Sequence, residues 1–546
     1  MIGIMCLFSL MFFSAETQNS AGLVPPNPEI QADFTLEEKV GQLMMIGFEG
    51  TLPTEELRDQ IQKMHIGSTI LFPRNIENPK QVLILTKSIQ ALNKSQLPIL
   101  IATDEEGGRV IRFYNDDVTM PGQMAIGATG SAKFAYEAGR SIAARLSTLG
   151  IDVNFAPVLD LNIESENRVV GSRSFGADPE IVSSLGSSYI RGVQSVGISA
   201  AAKHFPGHGR TKLDSHNTLP KIYSSLEKDL IPFNEAISQN VDMIMTAHVA
   251  YPKIDKNGMP ATISPEIISN ILRKKMKYDG VVITDDLEMG AIEQTYGIGE
   301  TAVRAIVAGS DIVIIGWRKE KQREVYDALL GATKSGRISR QRLDEAVARI
   351  ARLKAKRKAN IQNEELKTEI NIIINDGTQK KLAESITDES ATLLKNDNDI
   401  IPLIGRENNI LVVSPLYELY REIRKRYKNV YFVEVPLRPT NEEKKRLLKY
   451  INEASRKVDK IVVGIFNKHH AEIVTRLNKD IKIPIIVVSF DSPHYISKFP
   501  DVDAFLCVYH YRTGAAQTAA RLLLGEITTK GTLPISLSAV SPKEVE

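Results

Sequence analysis

The sequence predicts an α/β protein, a (β/α)8 TIM barrel followed by a smaller α/β sandwich domain. Three observations carry this. Eight short, apolar, β-rich runs recur between about residues 35 and 355, at 41–48, 67–72, 98–104, 152–161, 198–205, 242–249, 280–285 and 311–316. Amphipathic helical stretches separate them, for example 132–149, 179–196, 226–239 and 264–277. Strands alternating with helices imply βαβ units and a parallel sheet. Finally, five of the runs end on acidic or basic residues: Asp104, Asp160, Lys203 with His204, His248, and Asp285 with Asp286. An open doubly wound sheet satisfies the first two observations equally well. The third favours a barrel, because barrel enzymes build their sites at the C-terminal ends of several strands. One Asp or His after a strand is an ordinary helix cap; five point to a shared site.

The barrel is expected over residues 33–357 and a helical linker over 358–395. The stretch 340–374 reads as a charged helix leading out of the barrel, its charges forming a solvated face. A C-terminal α/β domain is expected over 396–546, with strand-like runs at 410–413, 430–435, 461–465, 485–490 and 504–509. It carries few clustered polar motifs, so no independent chemistry is assigned to it. Residues 1–15, MIGIMCLFSLMFFSA, are apolar and uncharged, too short to span a bilayer comfortably. They suit the apolar core of a secretory signal, expected over 1–20, although no Lys or Arg precedes the run. The residues before Cys6 make a poor lipid-attachment site, so the expectation is a secreted or envelope-associated protein without a lipid anchor. No other segment is apolar enough to cross a membrane.

Composition narrows the function. Lys and Arg total 68 against 66 Asp and Glu, a formal charge of +2, so nothing argues for a nucleic-acid partner. Two cysteines, Cys6 and Cys507, exclude a disulfide framework and a cysteine-built metal site. No Walker-type loop and no GxGxxG motif is present, so no nucleotide cofactor is indicated.

The densest motif is KHFPGHGRTKLDSH at 203–216. His204 and His208 have the HxxxH spacing of some metal sites, but Pro206 and two glycines interrupt a helix and no zincin-type glutamate follows. The metal reading is therefore the weaker one. Asp214 and His216, two apart, can point the same way in an extended loop. A carboxylate then fixes the imidazole tautomer for acid–base work; the bland alternative is a structural hydrogen bond on a surface loop. Asp285 and Asp286 end the seventh run, and neighbours on a strand face opposite sides. One carboxylate therefore faces the barrel mouth and the other makes a cap or structural contact. Asp104, Glu105, Glu106, Arg109 and Arg112 follow the third run, and Arg168 and Arg173 lie in NRVVGSRSFGADP.

Together these motifs resemble glycoside hydrolase family 3, in the two-domain form of its bacterial exo-β-N-acetylglucosaminidase (NagZ-type) branch. The similar segments are ILFPRNI at 70–76, DEEGGRVIR at 104–112, NFAPVLDLN at 154–162, GSRSFGADP at 171–179, KHFPGHG at 203–209, DSH at 214–216, PATISP at 260–265 and ITDDLEMGAI at 283–292. ATLLKNDNDIIPL at 391–403 and LLLGEITTKGTLPISL at 522–537 look like the family's second domain. The resemblance implies Asp285 as nucleophile, His216 with Asp214 as acid/base dyad, and Asp104, Arg112, Arg173, Lys203 and His204 as holders of the terminal sugar. Arg210 stands where the family usually has Asp, and Arg168 where Pro is frequent.

The implied chemistry is a retaining hydrolysis through a covalent glycosyl–Asp285 intermediate, with His216 as acid and then base. The substrate would be a small oligosaccharide or muropeptide bearing terminal GlcNAc on MurNAc, in peptidoglycan recycling, with no metal and no cofactor. A lone tryptophan, Trp317, fits a small pocket better than a long cleft. The competing readings are another sugar specificity such as β-glucoside, phosphorolysis by the same dyad, and a catalytically silent wall-binding protein.

Overall fold

The computed structural model describes residues 34–113, 119–167, 169–212, 219–375, 377–403 and 408–537. Eight strands close a barrel in chain order: β1 (Met44–Ile46), β2 (Ser68–Leu71), β3 (Leu100–Thr103), β4 (Val153–Asn154), β5 (Ser199–Phe205), β6 (Met243–Thr246), β7 (Val281–Asp286) and β8 (Ile312–Ile315). Every pairing is parallel, and β8 returns to β1 with Met44 opposite Val313. The strands are buried along their length except at the two carboxylates ending β7, as a parallel sheet inside a helical ring requires. Each of the eight expected runs carries one strand, β7 reaching one residue past its run to Asp286.

The fourth run is cut short. Pro157 has no N–H to give the ladder, so β4 keeps two residues. Contact with β5 resumes beyond it: Lys203 N–H donates to the Pro157 carbonyl at 3.1 Å and Leu159 N–H to the Lys203 carbonyl at 2.6 Å. This brings Asp160 alongside Lys203 and His204. The stretch expected as a helix at 264–277 is a π-helix, Glu266–Lys275.

The charged helix, Arg340–Gln362, corrects one expectation. Its charges do not all form a solvated face: Lys354 and Arg357 are buried against the floor of the barrel. The cause lies at the N-terminal ends of the strands. Asp152 precedes β4 and accepts from Arg357 Nε at 2.6 Å; Asp311 precedes β8 and accepts from Arg342 Nη2 at 2.7 Å and Arg273 Nη2 at 2.5 Å. Lys354 Nζ donates to Gln42 Oε1 at 2.6 Å and the Gly67 carbonyl at 2.8 Å. Two further helices, Glu364–Asn375 and Thr378–Ser390, lead to the second domain.

That domain is a six-stranded sheet. Its strands are β9 (Thr392–Asn396), β10 (Ile410–Ser414), β11 (Val430–Glu434), β12 (Lys460–Ile465), β13 (Ile485–Ser489) and β14 (Ala504–Cys507), in the order β11-β10-β12-β13-β14-β9. All pair in parallel except β9, antiparallel to β14. β9 begins at Thr392, within the stretch read as linker. Alternation along β10 shows the layering. Leu411 and Val413 share one face with Ile473 and Leu477 of helix Lys468–Asp480. Ile410 and Val412 share the other with Leu419 and Ile423 of helix Tyr417–Arg424 and with helix Thr513–Leu523. A sheet covered on both faces is the expected sandwich.

The two domains meet near the barrel mouth. Ala177 N–H donates to the Pro534 carbonyl at 3.0 Å and Thr532 N–H to the Ala128 carbonyl at 2.9 Å. Gly176 must be glycine here: a Cβ would lie 2.4 Å from the Pro534 carbonyl oxygen. Ser172 Oγ donates to Asp491 Oδ1 at 2.5 Å, both groups buried.

Candidate active site

The C-terminal ends of β3, β5 and β7 and the loops after β3 and β4 converge on one group of charges. Lys203, near the end of β5 and almost wholly buried, is its hub: Nζ lies 2.8 Å from Asp104 Oδ1 and 2.7 Å from Glu106 Oε1. Arg112 Nη2 donates to the other Asp104 oxygen at 2.8 Å. Arg173, on the 3-10 turn Gly171–Arg173, grips Glu106 in a fork, Nη2 to Oε1 at 2.7 Å and Nε to Oε2 at 2.9 Å. Two-point pairing of this kind fixes orientation as well as charge. Burial pushes the Asp104 and Glu106 carboxyls up, but the cations beside them prevail, and both lie below their ordinary range. Both stay ionised, and the cluster is a rigid, pre-paid array of donors and acceptors suited to sugar hydroxyls.

Glu105 points elsewhere. Its carboxylate accepts the Arg112 N–H at 2.7 Å, and its own N–H donates to Asn154 Oδ1 at 2.9 Å. Burial raises it to about 7. The glycines that follow have positive φ, 84° at Gly107 and 58° at Gly108. A Cβ on Gly108 would stand 2.7 Å from the Gly122 Cα. The tight turn they allow returns Arg112 towards Asp104.

His204 is held by Asp160: Nδ1–H donates to Oδ2 at 2.6 Å, while His208 N–H donates to Oδ1 at 2.6 Å. The His204 and His208 rings meet edge-on at 6.1 Å, and among the described residues no three His, Cys, Asp or Glu side chains gather as a metal site would need. Burial takes His208 down to about 4. Asp285 and Asp286 divide their roles as the pleat requires. Asp286 is built into the wall, accepting the Glu288 N–H at 3.1 Å and the Gly316 N–H at 3.2 Å, and burial raises it to about 7. Burial also acts to raise Asp285, but His204, His248, the Asp286 N–H and Lys203 outweigh it and hold the carboxyl below its ordinary range. An ionised carboxylate facing cations and imidazoles is the form a nucleophile needs.

Asp104, Arg112, Arg173, Lys203, His204 and Asp285 are thus gathered at one barrel end. Asp214, His216 and Arg168 lie outside the described residues. Arg210 turns away to Asp229, Nε to Oδ2 at 2.8 Å. Sequence reasoning gave no role to Glu106, Asp160 or His248. Glu106 orients Arg173, Asp160 orients His204, and His248 bridges Thr262 Oγ1 (2.7 Å) and the Asp286 carbonyl (2.9 Å). The strand-end positions of Asp160 and His248 were the available signal. Asp491, which reaches Ser172 from the second domain, gave none.

A family model described as the glycosyl hydrolase family 3 N terminal domain matches residues 35–353. The chain is 33% identical over 430 residues to Beta-hexosaminidase A of Pseudoalteromonas piscicida, covering 70% of this chain and 71% of that protein. It is 39% identical over 280 residues to a Beta-hexosaminidase of Pseudomonas aeruginosa, covering 50% of this chain and 81% of that protein. A solved glycoside hydrolase family 3 β-N-acetylglucosaminidase from Paenibacillus sp. str. FPU-7 superposes with a TM-score of 0.85 at 36% identity, over 93% of this chain and all of that one.

Proposed function

This chain belongs to glycosyl hydrolase family 3, and from that premise we propose that it is a retaining exo-β-N-acetylglucosaminidase. Its substrate is terminal β-GlcNAc on peptidoglycan-derived fragments of the GlcNAc–MurNAc type. The observation that carries the reading is the ionised Asp285 carboxylate at the end of β7, facing the Lys203–Asp104 cluster and the Asp160-held His204. The names of the relatives support the sugar.

In the first step Asp285 attacks the anomeric carbon while His216, oriented by Asp214, gives its proton to the leaving oxygen. The aglycone departs and a glycosyl–Asp285 ester remains. In the second step His216 takes a proton from water, which attacks the same carbon and frees Asp285. Two inversions retain the β configuration. An imidazole with an ordinary pKa of about 6.5 serves both proton transfers near neutrality. Asp104, Arg112, Lys203, His204 and Arg173 hold the terminal sugar, with Glu106 keeping Arg173 in place. The apolar segment 1–15 supports export to the envelope.

The test is to trap the intermediate with a slow fluorinated GlcNAc donor and map it by mass spectrometry. The label is expected on the peptide carrying Asp285; a label on another residue overturns the assignment. Release from p-nitrophenyl β-GlcNAc should far exceed release from the β-glucoside, and preference for the glucoside would sink the specificity. Phosphate-dependent formation of GlcNAc 1-phosphate would convert the reading to phosphorolysis.

A further inference from the structure

Trp317, the single tryptophan of the chain, is 54% exposed, yet it is not loosely held. It follows β8 by two residues. Its backbone N–H donates to Glu288 Oε2 at 2.5 Å. Its ring stacks on Phe72, which follows β2, with centroids 5.0 Å apart and planes inclined by 28°. The Arg74 guanidinium lies 4.1 Å from the Trp317 ring and 4.6 Å from the Phe72 ring. Arg74 is itself fixed by donating to the Gly316 carbonyl at 2.5 Å and the Phe48 carbonyl at 2.9 Å. These three separations form a small triangle. Partners on opposite faces of the indole would stand nearly twice as far apart, so Phe72 and Arg74 support it from one side. The other side accounts for the exposure.

The position of this ring matters. β8 is the strand next to β7, with Asp286 in register with Ile314, and neighbouring strands lie only about 4.8 Å apart. Gly316 lies between Phe72 of the platform and Asp286. A Cβ there would meet Asp286 Oδ2 at 2.3 Å and the Phe72 ring at 3.0 Å. The charged groups that hold the terminal sugar come from β3, the loop after β4, and β5. The sector beyond β8 and β2 offers instead a braced aromatic face at the same end of the barrel, on the strand next to the one that ends in Asp285 and Asp286.

We propose that Trp317, braced by Phe72 and Arg74, is the platform on which the sugar next to the scissile bond stacks, making it the aglycone subsite of this enzyme. The inference rests on the exo-β-N-acetylglucosaminidase reading and adds to it that the enzyme selects a pyranose ring as leaving group. The face of a pyranose presents C–H groups to the negative face of an indole, and an indole already fixed in place loses little entropy on binding.

Because the chain has one tryptophan, its emission reports this residue alone. In a full-length Asp285→Asn variant, N,N′-diacetylchitobiose is expected to quench or shift the emission saturably, whereas GlcNAc at the same concentration is not. Emission indifferent to the disaccharide overturns the proposal. In the active enzyme, Trp317→Ala is expected to lower kcat/KM for chitobiose about tenfold more than for methyl β-GlcNAc. Trp317→Phe, which keeps a ring, should recover most of that selectivity. Equal losses on both substrates, in a variant whose circular dichroism and melting are unchanged, would make the ring a support of the barrel and end the proposal. If the wild type turns over neither glycoside, the functional reading fails by itself, and the fluorescence titration, which needs no turnover, still decides whether the platform takes a sugar.

Discussion

The two ends of the barrel hold the same kind of side chains and use them oppositely. At the floor, each buried carboxylate accepts both an arginine and the backbone of a neighbouring strand. Asp152 takes Arg357 and the Ile101 N–H at 2.9 Å; Asp311 takes Arg273, Arg342 and the Val282 N–H at 2.9 Å. These acids sew adjacent strands together. At the mouth, Asp104 and Glu106 are held by the side chains of Lys203, Arg112 and Arg173, which come from different loops and strand ends. Nothing in the barrel ladder depends on them. The difference teaches how to read a buried ion pair: one that includes strand backbone serves the fold, and one made of side chains alone is ready for a ligand. Buried pairs add little net stability over apolar packing, so a cluster that braces no strand calls for another purpose.

The comparison can be broken first at the mouth. Asp285→Asn is expected to lower kcat by about 10⁴-fold or more while leaving the urea midpoint close to that of the wild type. A large loss of stability would show that the mouth too is structural. The converse belongs to the floor. Arg357→Met leaves Asp152 buried without its cation and is expected to cost about 3–5 kcal/mol in urea unfolding, with kcat/KM of the folded protein within about twofold of wild type. Unaltered stability would remove the floor's claimed role.

Between these extremes lies Asp491. It pins Ser172, the neighbour of Arg173, from the second domain, so Asp491→Ala should raise KM for a terminal GlcNAc about tenfold with kcat little changed, and Asp491→Asn should restore part of it. A matching fall in kcat with unchanged KM would contradict a positioning role. The smallest expected effect is a slope. Burial takes Lys354 from 10.5 down to about 7. Between those values the unfolded chain holds a proton that the folded chain has released, so this residue makes stability rise with pH across the window. Lys354→Met removes that contribution: its stability advantage over wild type should be widest near pH 6 and shrink towards pH 10. A gap constant with pH would mean that Lys354 titrates normally.

Much of this was legible in the chain. The strand periodicity gave the alternating parallel α/β architecture, and polar residues ending apolar runs both favoured the barrel over an open sheet and gave Asp104, Lys203, His204 and Asp285, because a strand end is a position that sequence order alone determines. What stayed hidden was partner choice. Nothing in the order of residues says that Glu106 meets Arg173, or that the inward side of helix Arg340–Gln362 finds acids to pair with, since those contacts form only when distant segments fold together. β9 was hidden for a related reason. It is an antiparallel edge strand that joins a sheet whose other members come after it, and its sequence, TLLKN, carries no sign of where it will pair.

The polypeptide enters the second domain at β9 and comes back to the barrel near its end, where residues 532 and 534 dock on Ala128 and Ala177. Gly531 N–H donates to the Ala391 carbonyl at 3.1 Å, so the incoming and outgoing strands of the chain are tied to each other at the crossing. The second domain is therefore an excursion of the chain that leaves and returns at one place. The returning segment thus rests on the loop that carries Arg173, through the Ala177 N–H donated to the Pro534 carbonyl, so the second domain's return and the Arg173 turn share one support.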